Sequence, residues 1–219
     1  GASGDADDME INIDYDFNDD RLYLHAHPTR VTASSVSDRR LLRSRSARYN
    51  DKGALETFSQ EYAKGRYETR TLSWDPVYGN LTGITDQKGS TVEYSYDSEM
   101  NQFVETVARG GPGTDRYVSS IRWNLLFGRK ELETDENGNA MEYRYDAVGR
   151  LERVISPKDR ADGTPAIRHM YNTVPGEVWS AVTLNKILFD SANDDTMSTV
   201  VEVDGLGRVI LTAKQGEAR

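Results

Sequence analysis

Residues 145–151 have the sequence Tyr145-Asp146-Ala147-Val148-Gly149-Arg150-Leu151, and variants of this phrase recur along the chain. Each copy starts with an aromatic or aliphatic lead residue, continues with Asp or Asn, and then has a short stretch that contains Gly in most copies. The lead residues are Tyr49, Trp74, Tyr96, Trp123, Tyr145, Tyr171 and Val203, at steps of 25, 22, 27, 22, 26 and 32 residues. A period in this range predicts a stacked-repeat architecture. It favours a surface or a wall over a catalytic centre.

Two of the repeats can be aligned almost in register. Twelve residues after Trp74 and after Trp123, an aspartate (Asp86 and Asp135) begins an Asp-x-x-Gly sequence, and the next lead tyrosine follows each tryptophan after 22 residues. Asp bonds nearby amides and Gly accepts a positive φ, so this sequence predicts a tight turn. Each repeat is therefore predicted to contain two short strands and two turns. The expected fold is all-β, with stacked antiparallel β-hairpins forming a curved sheet.

The repeated residues have a structural interpretation. Strand alternation puts Tyr143 and Tyr145 on one face, where tyrosines of neighbouring hairpins would stack in ladders. The lead Asp would bond the backbone of its own turn, and the Gly would close that turn. We therefore expect Gly149→Val to be more damaging than Gly163→Val, because the repeat turn needs a positive φ whereas an inserted loop can adapt.

The composition limits the functions of the chain. Hydrophobic residues make up 37 % of its 219 residues, which suits sheets with a wet face or a thin wall. The net charge of −9 argues against nucleic acid or an anionic membrane as partner, because both would repel the protein. The chain has no Cys and no apolar run of the roughly 20 residues that span a membrane. The start, Gly1-Ala2-Ser3-Gly4, suggests a piece of a longer protein.

Two regions are expected. Residues 1–48 form an acidic N-terminal β segment, in which alternation of apolar residues over 11–17 predicts a half-buried strand. Residues 49–219 form the repeat array, with insertions near 157–165 and 184–196 that lengthen their repeats. The best helical candidate, Glu56–Ala63, is short.

The segments Gly138–Leu151 and Val203–Ile210 resemble near-consensus units of the Rhs or YD-repeat family. The resemblance covers about residues 49–214. The family includes the B and C subunits of bacterial Tc toxin complexes, Rhs polymorphic toxins and the animal teneurins. The resemblance implies that the repeats wind as a β-hairpin spiral into a hollow shell, which in the toxins encloses a C-terminal toxic domain.

Partners and location also follow from this resemblance. It implies a secreted or cell-surface virulence protein whose partners are the rest of its shell, an enclosed toxin domain and other toxin-complex subunits. Some members of the family cleave themselves with paired Asp residues in a segment that ends the shell. Asp75-Pro76-Val77-Tyr78-Gly79 is similar to part of that segment, but it lies within the array and fits a repeat turn. No catalytic residue is carried over.

An acidic segment near the start has some features of a calcium loop. Its alternating oxygen ligands would come from Asp14, Asp16, Asn18 and Asp20. However, Asp19 stands where such a loop needs Gly, and its twelfth position is His25 rather than Glu. A solvated acidic turn is favoured.

The histidines offer little for metal binding. His25 and His27 would share one strand face as metal ligands, but no third ligand is identifiable and surface histidines are favoured. His169 is isolated. We assign no catalytic, cofactor-binding or metal-binding residue, expect no cofactor, and expect that the chain is not an enzyme.

Two functions are therefore considered. The first is a structural segment of the wall of a toxin-enclosing β-shell. The second is a cell-surface adhesion or carbohydrate-binding module, in which exposed tryptophans stack on sugar rings of a glycan. The candidates are Trp74, Trp123 and Trp179, although anchoring of hairpin pairs is their favoured role.

Overall fold

The computed structural model describes residues 8–16, 27–161, 163–187 and 196–216. These residues contain sixteen β-strands and no helix. No helix long and apolar enough to cross a bilayer is found among them. The first eight strands are β1 (Met9–Asp16), β2 (His27–Ser35), β3 (Leu41–Tyr49), β4 (Leu55–Ala63), β5 (Arg66–Trp74), β6 (Leu81–Asp86), β7 (Thr91–Tyr96) and β8 (Val104–Gly110). The other eight are β9 (Tyr117–Asn124), β10 (Arg129–Thr134), β11 (Ala140–Tyr145), β12 (Leu151–Ile155), β13 (Ile167–Asn172), β14 (Trp179–Lys186), β15 (Thr196–Val203) and β16 (Val209–Lys214).

The strands divide between two compact units, whose boundary lies within β9 between Val118 and Ser119. Inside each unit, every strand pairs with its neighbours in chain order, and all of these pairings are antiparallel. The expected all-β fold of stacked antiparallel hairpins is therefore confirmed.

A β-bulge recurs at the end of six odd-numbered strands. The register of the pairing with the next strand shifts just before the lead residues Tyr49, Trp74, Tyr96, Tyr145 and Val203. The same shift occurs just before Tyr15 in β1. A bulge bends its strand and re-aims the side chain beside it. The recurrence of the bulge gives these hairpins the same local geometry.

The hydrophobic core is small. Among the described residues, the buried hydrophobic side chains are Ala108, Ala140, Ile155 and Ala166. Most other apolar side chains are half-buried or exposed, as expected from the low hydrophobic content. Because so few apolar side chains are buried, contacts between polar groups do much to hold the strands and turns in place.

The other expectations about elements have mixed outcomes. The strand expected over 11–17 is β1, although residue 17 lies outside the described residues, and the weak helical candidate Glu56–Ala63 belongs to β4. The division at residues 48 and 49 stays a prediction, as does the insertion near 184–196, most of which lies outside the described residues. The insertion near 157–165 is a loop between β12 and β13.

Candidate functional site

The repeated turn is built around one carboxylate. In the turn after β11, Oδ1 of Asp146 accepts hydrogen bonds from the backbone N–H groups of Val148 at 3.0 Å and Arg150 at 2.8 Å. The backbone N–H of Gly149 donates to the carbonyl of Asp146 at 3.0 Å, with φ of 82° at Gly149. The same pattern recurs in the turns that begin at Asn50, Asp86, Asp135 and Asp204. The role expected for the lead Asp and its Gly is confirmed in these turns.

A longer turn uses the same device more fully. Asp97 is 3 % exposed, and its carboxylate accepts four backbone N–H groups at 2.6–3.1 Å. The donors are Met100, Asn101, Gln102 and Phe103. Burial alone would raise the pKa of Asp97, but these four donors outweigh it and hold the pKa below its usual range.

The turn after Trp74 is a further variant. The carboxylate of Asp75 accepts the backbone N–H groups of Val77 at 2.8 Å and Tyr78 at 2.7 Å. The backbone N–H of Gly79 donates to the carbonyl of Asp75 at 3.1 Å. These bonds agree with the interpretation of this segment as a repeat turn.

Five of the lead aromatic residues have a hydrogen-bond partner in or beside the preceding strand. The hydroxyl or indole N–H donates to a backbone carbonyl at the start of that strand, at 2.7–3.1 Å. The donor and acceptor pairs are Tyr49 and Pro28, Trp74 and Leu55, Tyr96 and Leu81, Tyr145 and Lys130, and Tyr171 and Leu151. Burial raises the pKa of Tyr96 and of Tyr145, so these hydroxyls keep the proton that they donate.

The residue just before each acceptor, which we call the receptor residue, faces the ring of the lead residue in three hairpins. The guanidinium of Arg150 lies 4.5 Å from the centre of the Tyr171 ring, and that of Arg129 lies 5.8 Å from the Tyr145 ring. The ring of His27 stacks on Tyr49 with 4.3 Å between centroids. Cation–π and stacking contacts thus reinforce the hydrogen bond.

Arg150 also holds its own turn. Its Nε donates to Oδ2 of Asp146 at 2.6 Å, while its guanidinium lies over Tyr171. One arginine therefore joins the turn between β11 and β12 to the lead residue of β13. Other rings also contact these lead tyrosines, and the expected tyrosine ladder stays a prediction. Tyr145 packs against Phe127, with 6.5 Å between ring centroids, and the ring of His169 lies 6.3 Å from that of Tyr171.

The structure reveals one more lead residue, which the repeated phrase did not indicate. Tyr15 and Asp16 are the last two residues of β1. In the other odd-numbered strands, a lead residue and the Asp or Asn after it likewise lie at the end of the strand or just beyond it. The register shift between Asp14 and Tyr15 matches the recurrent bulge. The Tyr-Asp pair at the end of an alternating strand was the available signal. It was obscured because no Gly follows at the usual distance.

The inserted loop between β12 and β13 contains a buried ion pair. Nζ of Lys186 lies 2.6 Å from Oδ1 of Asp159, and their side chains are 4 % and 3 % exposed. Oγ of Ser156 donates to Oδ2 of Asp159 at 2.6 Å. The hydrogen bonds from Lys186 and Ser156 hold the pKa of Asp159 below its usual range. The repeat spacing contains no sign of this pair, because its members are 27 residues apart.

The candidate ligand residues are only partly described. Asp14 and Asp16 lie in β1, whereas Asn18, Asp20 and His25 are outside the described residues. His27 stacks on Tyr49, and Nδ1 of His169 lies 3.1 Å from Oγ1 of Thr183. Within the described ranges, no three His, Asp or Glu side chains are grouped so as to hold a metal ion.

The three tryptophans have different surroundings. Nε1 of Trp74 donates to the carbonyl of Leu55 at 2.7 Å, which is the favoured anchoring role. Trp123 is half-buried near the end of β9. Trp179, at the start of β14, is 49 % exposed. Its ring is the most accessible of the three to a ligand.

Comparisons with known proteins identify the fold only. No protein-family model and no curated protein sequence matches this chain. The fold is similar to that of a chain in the crystal structure of TcdB2-TccC3-Cdc42, with a TM-score of 0.56 and 14 % identity. The crystal structure of TcdB2-TccC3 without its hypervariable C-terminal region gives the same values. In both cases the match covers 93 % of this chain and 12 % of the other chain.

Proposed function

We propose that this chain is a non-catalytic segment of a secreted bacterial Rhs/YD-repeat protein, where it forms part of the wall of a β-shell around a toxin domain. The observation that carries the proposal is the repeated anchor. In five places, an aromatic residue at the end of one strand donates to the carbonyl at the start of the preceding strand. Such an anchor fixes neighbouring strands and adds no reactive group.

The distribution of burial supports a thin wall. The buried hydrophobic residues of the described part are three alanines and one isoleucine. An antiparallel sheet can have a face in water. Here turn carboxylates and aromatic hydrogen bonds also hold the strands, so the sheet depends little on a second layer that buries an apolar face. Both faces of a shell wall would meet water or polar cargo.

The state of the aspartates supports a non-catalytic role. Hydrogen-bond donors occupy the turn carboxylates and hold the pKa of Asp86, Asp135 and Asp204 below the usual range. A general acid needs the opposite shift, because it must hold a proton near the operating pH. These residues are therefore suited to closing turns.

The resemblance and the comparisons support the toxin setting together. The family that residues 49–214 resemble includes the B and C subunits of Tc toxin complexes, and the similar folds come from structures of TcdB2-TccC3. The matched chains are much longer, since this chain covers 12 % of them. The proposed partners are accordingly the rest of the shell, the enclosed toxin domain and other subunits of a toxin complex, outside the producing cell.

Electron microscopy of the full-length parent protein tests the proposal. We expect a hollow particle with this segment in its wall and density for the enclosed domain inside. A compact solid particle without a cavity would overturn the proposal.

Protease protection gives a second readout with matched variants. In the full-length parent, the C-terminal domain should resist protease, and Gly149→Val should expose it because the substitution disturbs a repeat turn. Gly163→Val, in the inserted loop, should leave the protection nearly intact. A domain that is digested equally in the unmodified parent and in both variants is not enclosed.

A carbohydrate-binding or adhesive role is the second candidate, and the exposure of Trp179 favours it. An exposed indole on a sheet offers a flat apolar surface to a sugar ring. A glycan array should then give a signal that Trp179→Ala removes. Trp74→Ala changes an anchoring residue and should not remove the signal while the protein remains folded. The absence of signal above background would exclude this role for sugars.

A further inference from the structure

Two β-bulges in neighbouring hairpins do not belong to the repeat. In the pairing of β2 with β3, Leu42 is an additional residue between the partners of Ala33 and Ser34. In the pairing of β4 with β5, Tyr62 is likewise left without an opposite residue. The corresponding pairings of β6 with β7, β10 with β11, β12 with β13 and β14 with β15 contain no such shift. The geometry of the repeat therefore does not account for these two bulges.

Both additional residues line the same groove beside the β2–β3 and β4–β5 turns. Its volume is about 500 Å³, which is in the range of small-molecule sites, and its lining includes Arg40, Leu41, Leu42, Arg43, Tyr62 and Lys64. Tyr62 is 65 % exposed, and the two leucines are each 44 % exposed. A bulge re-aims a side chain and is frequent next to functional sites. The two bulges thus present three accessible apolar side chains to one groove.

The groove carries positive charge in a chain whose net charge is −9. Arg40 pairs with Asp38 at 3.7 Å. In the described part of the chain, the side chains of Arg43 and Lys64 have no ion-pair or hydrogen-bond partner. Glu61 also lines the groove, but its Oε1 accepts a backbone N–H of its own turn at 2.7 Å. Two cations are therefore available to an anionic ligand.

The backbone around the groove is closed to an added strand. Strand β3 pairs with both β2 and β4, and β4 pairs with both β3 and β5. A peptide therefore cannot bind here by pairing its main chain with a free sheet edge. Recognition must come from the side chains, which are a tyrosine, two leucines and two free cations. This combination suits a small ligand that has both an apolar surface and a negative charge.

We propose that this groove binds a carboxylated, N-acetylated sugar. The ring of Tyr62 offers an apolar surface to the C–H face of the sugar ring. The guanidinium of Arg43 donates two parallel hydrogen bonds to the carboxylate, and Lys64 adds a second positive charge. The methyl of the acetamido group contacts Leu41 and Leu42. The proposal rests on the second candidate function, carbohydrate binding, but at a site other than Trp179.

Titration with matched sugars tests the proposal. Sialyllactose carries the carboxylate and the acetamido group, lactose carries neither, and sulfated lactose carries an anion without the acetamido group. We expect the 219-residue chain to bind sialyllactose at least about tenfold more tightly than lactose, because a charge-assisted bidentate contact is added. Sulfated lactose should bind less tightly than sialyllactose. In saturation-transfer NMR, the acetamido methyl should give the strongest signal of the bound sugar.

Matched variants locate the site. Arg43→Ala should raise the dissociation constant for sialyllactose at least about tenfold, whereas Arg45→Ala, two residues further along β3 and outside the groove, should raise it no more than about twofold. Tyr62→Thr should also weaken binding. Tyr117→Thr changes a tyrosine that is 52 % exposed in β9 and should leave binding unchanged, as should Trp179→Ala. Circular dichroism of each variant checks that it is folded.

Several outcomes would overturn the proposal. Equal binding of sialyllactose and lactose would exclude recognition of the carboxylate, and equal effects of Arg43→Ala and Arg45→Ala would indicate a general attraction to surface charge. Displacement of the sugar by an equal concentration of poly-aspartate peptide would assign the groove to acidic peptides instead.

Two further results separate this proposal from the functions proposed above. Glycan binding that only Trp179→Ala removes would reject the groove and keep carbohydrate binding, whereas no binding of any glycan would reject both. The titration is repeated with the full-length parent, where a loss of binding would show that the rest of the protein covers the groove and would also overturn the proposal. The presence or absence of an enclosed toxin does not affect these results.

Discussion

At the residue scale, two glycines with the same backbone conformation have different surroundings. Gly149 has φ of 82° and Gly163 has φ of 74°, so both lie in the region that side chains rarely adopt. A positive φ therefore occurs in the inserted loop as well as in the repeat turn, and whether the loop can adapt to a substitution stays a prediction. The two glycines differ in the free space around them. A Cβ at Gly149 would lie 2.8 Å from the ring of Phe127, whereas a Cβ at Gly163 would meet no atom within 4 Å.

Gly149→Val should consequently lower the melting temperature more than Gly163→Val. Both variants carry a backbone cost of about 1–3 kcal/mol for the unfavourable φ. Only Gly149→Val also displaces Phe127, which packs against the lead residue Tyr145. We expect an additional cost of about 1–3 kcal/mol from this overpacking, measurable by denaturant unfolding. Equal losses of stability in the two variants would contradict this assignment.

The sequence predicted the chemistry of the turns but not the partners of the aromatic residues. Asp-x-x-Gly contains the whole turn, because donor, acceptor and positive φ are local. The hydroxyl of Tyr145 finds its acceptor 15 residues earlier, and the choice of that carbonyl depends on a bulge and a register that alternation alone does not specify.

At the element scale, the buried ion pair fastens the inserted loop to a strand distant in sequence. Asp159 lies between β12 and β13, and Lys186 is the last residue of β14. Insertions of repeat arrays usually project from one face. Here, part of the loop turns inward instead, because the carboxylate of Asp159 satisfies the ammonium group of Lys186. The periodicity of the sequence could show that residues were inserted, but not that one of them is buried.

The effects of removing the two members of this pair should not be additive. Asp159→Ala leaves a buried ammonium group without a counter-ion, and we expect a loss of about 3–5 kcal/mol in the free energy of unfolding. Lys186→Met should cost a similar amount. The double variant should lose clearly less than the sum of the two, which a double-mutant cycle in urea measures.

An exposed ion pair provides the control for this cycle. Arg122 and Glu131 lie 3.3 Å apart, with side chains 63 % and 35 % exposed. Arg122→Met should change the free energy of unfolding by no more than about 1 kcal/mol. Strict additivity of Asp159→Ala and Lys186→Met would show that the buried pair is not coupled.

At the scale of the whole molecule, stability rests on many ionised aspartates rather than on a large apolar core. Hydrogen bonds hold the pKa of each below the ordinary value of 3.8. The residues concerned include Asp86, Asp97, Asp135, Asp146, Asp159 and Asp204. Their protonation would remove acceptors from turns in both compact units.

The protein should therefore lose stability in acid. The unfolded chain binds protons at the ordinary Asp pKa, while the folded chain resists them, so this stability is fully present above that value and falls as the pH drops through the lowered pKa values. The melting temperature should be nearly constant between about pH 7 and pH 5 and should decline towards about pH 3. A melting temperature that is unchanged down to about pH 3 would contradict the prediction.

One substitution isolates the contribution of a single carboxylate. Asp97→Asn removes the charge that accepts four backbone N–H groups, so this variant should already melt at a lower temperature at neutral pH. It should also lose less on acidification, because one of the lowered pKa values is gone. Melting curves of the variant and the unmodified chain, recorded over the same pH range, make the comparison.

The direction of the aromatic hydrogen bonds has a consequence for folding during synthesis on the ribosome. Every donor from Tyr49 to Tyr171 reaches a carbonyl 15 to 21 residues earlier in the sequence. Because synthesis proceeds from the N-terminus, the acceptor of each new hairpin has already been made when its donor emerges. Each of these five anchors can thus form as soon as its own hairpin is complete, one hairpin after another along the chain.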